Sequence, residues 1–305
     1  MAPPLTTPHA APLGAGWRRT APLIRGSVAL HVGAAAAAVM RPHGWPWALS
    51  VVVADHLLLG AVGLWPRSRW LGPNWTHLPA PRTAAAHAAD TPGAPGTGAQ
   101  APANAAVAIT LDDGPDPEVT PRVLDVLDEY GASATFFCIG ERVAARPALA
   151  RDIAGRRHEI GNHSHRHLKR FSLLGLRGIA EEIGLAQRAI FDATGERPRF
   201  FRAPAGLRNP LLEPVLAREG LQLVSWTRRG FDTVSPDGPA VLARLTRRLQ
   251  GGDILLLHDG HAARSAAGTA VILEVLPRLL CELRAARLTP ITLRKALERS
   301  AGPLP

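Results

Sequence analysis

Two adjacent carboxylates, Asp112 and Asp113, and two histidines four residues apart, His163 and His167, are the residues whose types and spacing most plainly invite chemistry. Side-by-side carboxylates repel one another, and the cost falls when a cation neutralises one of them. Histidines at i and i+4 can present both imidazoles from one turn, and a carboxylate from elsewhere in the chain completes a facial set of three metal ligands. Such a set leaves coordination positions for water and substrate, as metal-assisted hydrolysis requires. The H-x-x-x-H spacing alone is usually a pair of solvated loop histidines; the neighbouring Asp-Asp pair raises it above that reading. His165 is expected to point away from the ligand pair, and His158 and His261 are read with it as surface histidines or supports behind the ligands.

These residues need elements to bring them together. From Ala105 onward, short β-like runs alternate with helical patterns. Strands are expected over 106–111, 134–138, 159–162, 199–202, 221–226, 254–258 and 289–292. Helices are expected over 119–130, 147–155, 176–194, 210–219, 239–249, 270–287 and 293–300. This alternation predicts an α/β fold, a parallel sheet or barrel with helices outside. In such folds chemistry collects where the strands end. Asp112-Asp113, the His163–His167 segment, Arg202, Asp232 and His258 each fall at or just beyond such an end, so five strand ends deliver ionisable groups.

The first third of the chain has a different texture. Two apolar stretches, residues 26–40 and 45–65, flank the short turn Arg41-Pro42-His43-Gly44. A bilayer crossing needs about 20 apolar residues, and polar residues do not alternate here as an amphipathic helix would require. A membrane hairpin is the expectation, with Asp55 facing the partner helix or a protein interior because a lipid-facing carboxylate is expensive. The tryptophans at 45, 47, 65, 70 and 75 suit a membrane–water interface. Arginines at 18, 19, 25, 67 and 69 flank the hairpin's outer ends, so both ends should face the cytoplasm, at a bacterial inner membrane. The expected organisation is a basic tail over 1–25, the hairpin over 26–66, an interfacial segment with an Ala/Pro/Gly linker over 67–104, and a catalytic domain over 105–300.

A net charge of +10 rests almost wholly on arginine, since Lys169 and Lys295 are the only lysines. The pairs Arg156-Arg157, Arg228-Arg229 and Arg247-Arg248 are scattered and not interleaved with aromatics, so they read as solvated faces and no nucleic-acid partner is expected. Cys138 and Cys281 have no metal-type spacing and imply no disulfide framework.

Five ordered motifs make the chain resemble the polysaccharide deacetylases that share the NodB homology domain, carbohydrate esterase family 4. Thr110-Leu111-Asp112-Asp113-Gly114 is similar to T-F-D-D-G, and His163 to His167 matches H-S/T-x-x-H. Arg202-Ala203-Pro204-Ala205 resembles R-x-P-Y without the tyrosine. Asp232-Thr233 stands where the family has Asp-Trp, and Leu256-Leu257-His258 matches L-x-H. The resemblance implies an irregular (β/α) barrel of the NodB-homology type behind the hydrophobic hairpin. It implies that Asp113, His163 and His167 hold a divalent metal, zinc first and cobalt, nickel or manganese as alternatives. It makes Asp112 the catalytic base and His258 the catalytic acid, with Arg202 and Asp232 orienting them. The backbone of Ala205 would then face the oxyanion, while Leu256 and Trp226 would wall the acyl pocket; Trp226 reads equally well as a core residue.

The implied reaction removes an N-acyl group, acetyl or formyl, from an amino sugar in a polysaccharide or lipid-linked glycan, with membrane lipid as a second partner. Two other classes compete. A non-haem iron oxygenase can use the same two-His-one-carboxylate set, but it leaves Asp112, Arg202, Asp232 and His258 without tasks. A non-catalytic, membrane-anchored glycan-binding module would not need base, ligands and acid together.

Overall fold

The computed structural model describes residues 21–81 and 105–301. The basic tail with Arg18 and Arg19, and most of the Ala/Pro/Gly segment before residue 105, lie outside the described residues.

Two helices, α1 (Pro22–Met40) and α2 (Trp45–Gly63), form a hairpin through the single 3-10 turn Pro42–Gly44. Prolines stand in the first turn of each helix, where a missing N–H costs nothing. The sequence expectation started the first helix at residue 26; Pro22 starts it earlier and makes both helices 19 residues long. Their mean hydropathies of 1.6 and 1.5 make each long and apolar enough to cross a membrane, by length and composition. Asp55 is buried between the helices and accepts a 2.5 Å hydrogen bond from the Ser27 hydroxyl, so the carboxylate faces the partner helix as expected.

The chain then crosses onto the following domain. The Trp75 N–H donates to the Leu223 carbonyl (2.9 Å), Ser225 N–H to the Trp75 carbonyl (2.8 Å), and Leu78 N–H to the Gly252 carbonyl (2.8 Å). Asn74 ties the segment to itself through the carbonyls of Pro66 and Ser68. Trp75 packs 5.4 Å from the Phe200 ring, within a cluster of Val224, Ile254 and Leu293. That corrects the interfacial reading of Trp75: its aromatic face is used inside the domain, whereas Trp45, Trp47, Trp65 and Trp70 are exposed.

The domain that begins at Ala105 holds the strands β1 (Ala105–Asp112), β2 (Ala134–Cys138), β3 (Glu159–Asn162), β4 (Phe200–Phe201), β5 (Gln222–Leu223), β6 (Arg228–Arg229), β7 (Ile254–His258) and β8 (Leu288–Pro290). They form one sheet in the order β5-β4-β3-β2-β1-β7-β6, with β8 beside the start of β1 and every pairing parallel. Between them come α3 (Val119–Glu129), α4 (Gly140–Ala145), α5 (Pro147–Gly155), α6 (Leu176–Thr194), α7 (Leu212–Glu219), α8 (Gly238–Thr246), α9 (Val271–Ala285) and, last, α10 (Leu293–Ala301). The order is an open path, so the sheet curls into a half-barrel.

Side chains alternate across each strand. Val107, Ile109 and Leu111 of β1, Phe136 of β2 and Leu255 and Leu257 of β7 pack in one cluster with Val123 and Leu127 of α3 and Leu276 and Leu279 of α9. Burying each such side chain contributes about 1.5–3 kcal/mol. The alternate residues Ala108, Phe137, Phe200 and Ile254 face inward with Trp75. Thr110 and Asp112, in phase with Ala108, are thereby carried to the interior at the strand's end. Helix α4 and strand β6 are not in the sequence expectation, since a six-residue helix and a two-residue strand are too short for a periodic signal. The strands expected over 199–202 and 221–226 shrink to β4 and β5; Arg202 leaves its strand to send its side chain across the interior.

Candidate active site

Parallel register places Asp112, the last residue of β1, opposite His258, the last residue of β7. Asn162 ends β3, and the loop that follows delivers His163 and His167. Five residues here hold left-handed backbone angles: Asp113 (φ 70°), Ser164 (φ 61°), His167 (φ 50°), Ala205 (φ 54°) and His261 (φ 61°). Non-glycine residues adopt this region at a cost of about 1–3 kcal/mol, and such strain clusters where the surroundings over-determine it. The surroundings here are specific. The buried carboxylate of Glu182, on α6, accepts from the backbone N–H groups of His165 (3.1 Å) and Arg166 (2.9 Å) and from Arg166 Nε (2.6 Å). Asn162 accepts from Ser164 N–H through its side-chain oxygen and donates to Ile183 and Gln187 of the same helix.

The loop sets the ligand geometry. Asp113 Oδ1 lies 3.3 Å from His163 Nε2 and 3.2 Å from His167 Nε2. That oxygen is buried and accepts no hydrogen bond within the angular limits of one. His163 Nδ1 meets the Arg202 carbonyl at 2.8 Å, which keeps its proton on Nδ1 and leaves the Nε2 lone pair facing the carboxylate. The second oxygen of Asp113 is used separately: His261 Nδ1 lies 3.3 Å from Oδ2. Arg142 can only donate, so its 2.9 Å contact with His261 Nε2 makes that nitrogen the acceptor and Nδ1 the proton carrier. Buried anionic and imidazole atoms converging with an unused oxygen fit a divalent cation, with Asp113, His163 and His167 as its holders.

Electrostatics agree with that fit. Burial alone would raise Asp113, but the close imidazoles of His163 and His167 and the hydrogen bond from His261 hold its carboxyl far below the usual range. Burial opposes charge on His163 as well, yet Asp112 and Asp113 outweigh it and raise its pKa. Burial and the repulsion of His163 lower His167 to about 4, leaving it neutral and able to ligate near pH 7.

Asp112 is held from the other side. Arg202 donates to its Oδ1 at 2.6 Å and to Thr110 Oγ1 at 2.8 Å, and reaches the carbonyls of Val224 and Ser225. The guanidinium is 1% exposed and lies 4.2 Å from the Phe137 ring centre, so removing it would leave a buried carboxylate unpaired. His258 is gripped twice by Asp232: Nδ1 to Oδ1 at 2.9 Å and backbone N–H to Oδ2 at 2.7 Å. Burial would lower its pKa, but the hydrogen bond and charge of Asp232, with Asp112 and Asp113 behind it, raise it.

All ten residues expected at the site therefore gather around one region. Ala205, Trp226, Leu256, Thr233 and His258 line the cleft with the acidic pair and the two histidines. Trp226, ambiguous in the sequence, is 8% exposed and still forms part of that wall. His158 does not belong: it is buried against Phe136, accepts from Ala134 N–H, and burial lowers it to about 4. His165 turns away toward Gly140, as expected. Sequence reading missed Arg229, taken as half of a solvated pair. Arg228 pairs with Asp253 at 2.5 Å, whereas Arg229 enters the cleft wall 5.7 Å from the Trp226 ring centre. Only the alternation of neighbours across a strand could have separated the two. Gly206 was also unmarked; at φ 73° its added Cβ would strike Trp226 and Pro66 at 2.6 and 2.7 Å.

Comparison with known proteins agrees with the fold and the motifs. The family profile for polysaccharide deacetylase matches residues 99–224. The peptidoglycan-N-acetylglucosamine deacetylase of Bacillus cereus is 37% identical over 175 residues, 57% of this chain and 81% of that protein. The chitooligosaccharide deacetylase of Sinorhizobium fredii is 37% identical over 176 residues, 57% of this chain and 80% of that protein. Among solved structures, the family 4 carbohydrate esterase from Streptomyces lividans in complex with acetate is 31% identical, with a TM-score of 0.56, over 62% of this chain and 92% of that one. Motifs, half-barrel and relatives converge, and the chain belongs to the polysaccharide deacetylase family, carbohydrate esterase family 4.

Proposed function

We propose that this chain is a metal-dependent N-deacylase of amino sugars, removing an acetyl or formyl group from an N-acylated glycan. The observation that carries the reading is the convergence on Asp113 Oδ1 of two imidazole nitrogens within 3.3 Å, with Asp112 and His258 on facing strand ends. A divalent cation at Asp113, His163 and His167, zinc as the first candidate, would supply Lewis acidity toward water and the acyl carbonyl. Asp112, held by the hydrogen bond from Arg202, takes the proton of the attacking water. His258, kept protonated and oriented by Asp232, gives a proton to the departing amine. The backbone of Ala205 faces the oxyanion as a donor that does not depend on the missing tyrosine side chain. Leu256 and Trp226 hold the small acyl group. The named substrates of the relatives, peptidoglycan N-acetylglucosamine and chitooligosaccharide, are the leading classes.

The hairpin serves as a membrane anchor at a bacterial inner membrane. Arg67 and Arg69 at its exit favour a cytoplasmic face for the catalytic domain. Pro66 packs beside Gly206 in the cleft wall, which brings the hairpin's exit close to the site and favours a lipid-linked sugar among the glycans. The test is acyl release, read by mass spectrometry, from zinc-loaded protein given N-acetylated chitooligosaccharides, peptidoglycan fragments and lipid-linked N-acyl sugars. Loss of one acetyl or formyl mass from a glycan is expected. Oxygen consumption without acyl release would instead favour the iron oxygenase.

A further inference from the structure

We propose a second divalent-cation site, in the hairpin, formed by His31 of α1 and Asp55 and His56 of α2. One ligand atom from each of the three residues lies within 4.8 Å of the others. Among the described residues, only this cluster and the Asp113, His163 and His167 group meet that condition.

The local chemistry shares the ligand types of the catalytic set in a looser arrangement, with His31 Nδ1 3.8 Å from Asp55 Oδ2. His31 Nδ1 is 2.8 Å from the Ser27 carbonyl, and His56 Nδ1 is 2.9 Å from the Val52 carbonyl. Each contact places the proton on Nδ1 and leaves Nε2 as the free lone pair, as the Arg202 carbonyl does for His163. The two rings stand edge to face with centres 5.0 Å apart. Asp55 is 7% exposed, and Ser27 donates to its Oδ2, so the carboxylate is oriented by a neighbour that takes only one of its oxygens. Ser27 and His31 are four residues apart on one helix face, while Asp55 and His56 are consecutive on the other helix, so the cluster bridges both.

Its placement makes an uncompensated cluster expensive. His31 lies about 15 Å along α1 from the turn at 1.5 Å per residue, near the middle of a hydrocarbon layer about 30 Å thick. Ionisable residues at that depth are costly and mark sites with a partner. Two imidazoles and a carboxylate form the ligand set of a zinc-class divalent cation. Such an ion would neutralise Asp55 and clamp the two helices together.

The experiment counts metal and needs no substrate. Untagged full-length protein in nanodiscs is stripped with chelator, reloaded with Zn2+, freed of excess, and its zinc counted per chain. Wild type should carry two equivalents, His163→Ala one, the double variant His31→Ala/His56→Ala one, and the triple variant none. Asp55→Asn, which keeps size and the Ser27 contact, should lower the His163→Ala protein from one equivalent toward none; in that background Co2+ should give a visible absorption band that Asp55→Asn abolishes. One equivalent in wild type and none in His163→Ala would overturn the site and leave a hydrogen-bonded helix contact. Two equivalents retained by both Asp55→Asn and the double-histidine variant would also overturn it. Because the His163→Ala background isolates the hairpin, failure here leaves the deacylase reading untouched, and absence of acyl release leaves the hairpin count untouched.

Discussion

Asp113 and Asp112 are neighbours in sequence with different surroundings, and the difference predicts different mutant phenotypes. Asp112 faces Arg202, and Asp113 faces two imidazoles. Asp112→Asn should keep the metal yet lose turnover by about 10²–10⁴-fold, the usual worth of a general base, checked by kcat beside metal content. His258 needs its proton to act as the acid, so activity should fall as pH rises through its folded pKa. Asp232 raises that value, and Asp232→Asn should therefore move the alkaline limb of the kcat profile to lower pH. Asp259, buried behind the acidic pair, adds a pH dependence of its own. Burial raises it from 3.8 to about 7, opposed only in part by the Thr120 hydroxyl. The folded state then holds a proton that the unfolded chain releases, so stability falls as pH rises from about 4 to about 7. Asp259→Asn should flatten that fall in the metal-stripped protein, measured by denaturant midpoint against pH.

The element that most changes the picture is the segment after α2. It reads as an interfacial stretch leading to a linker, yet it hydrogen-bonds to the ends of β5 and β7 and packs Trp75 into the half-barrel. The hairpin is thereby docked on the catalytic domain. Gly63 makes the closest approach: an added Cβ would lie 2.2 Å from the Arg208 carbonyl oxygen, which is backbone and cannot swing aside. Gly63→Ala should cost about 1–3 kcal/mol as an overpacking strain. A fall in Tm together with faster proteolysis between residues 63 and 78 is the expected readout; an unchanged Tm would show that the two parts are not coupled there. Helix α6 has a comparable role for the ligand loop, through Glu182. A buried glutamate at mid-helix looks unfavourable until the backbone N–H groups it accepts are known.

At the scale of the whole molecule, hairpin and deacetylase domain make one unit in which the cleft wall touches the hairpin's exit. The full chain should sediment with membranes and resist extraction by high salt or carbonate. Release by carbonate would show that the helices do not cross the bilayer. The cleft itself lacks the tyrosine and tryptophan of the family motifs, with Ala205 and Thr233 in their places, and Arg229 lines its wall.

Much of the site is legible in the sequence. The proposed ligands, base and acid are short motifs at strand ends, and parallel α/β order brings strand ends to one edge. The long helix α6 matches its expected bounds to the residue, because periodicity accumulates over its length. What only the tertiary structure decided depends on contacts distant in sequence. Trp75 finds Phe200, Arg229 parts company with Arg228, His158 withdraws from the site, and His31 meets Asp55 and His56 across the hairpin. Local sequence states which side chains can bind a metal or fill a core; the packing of remote segments selects which of them do.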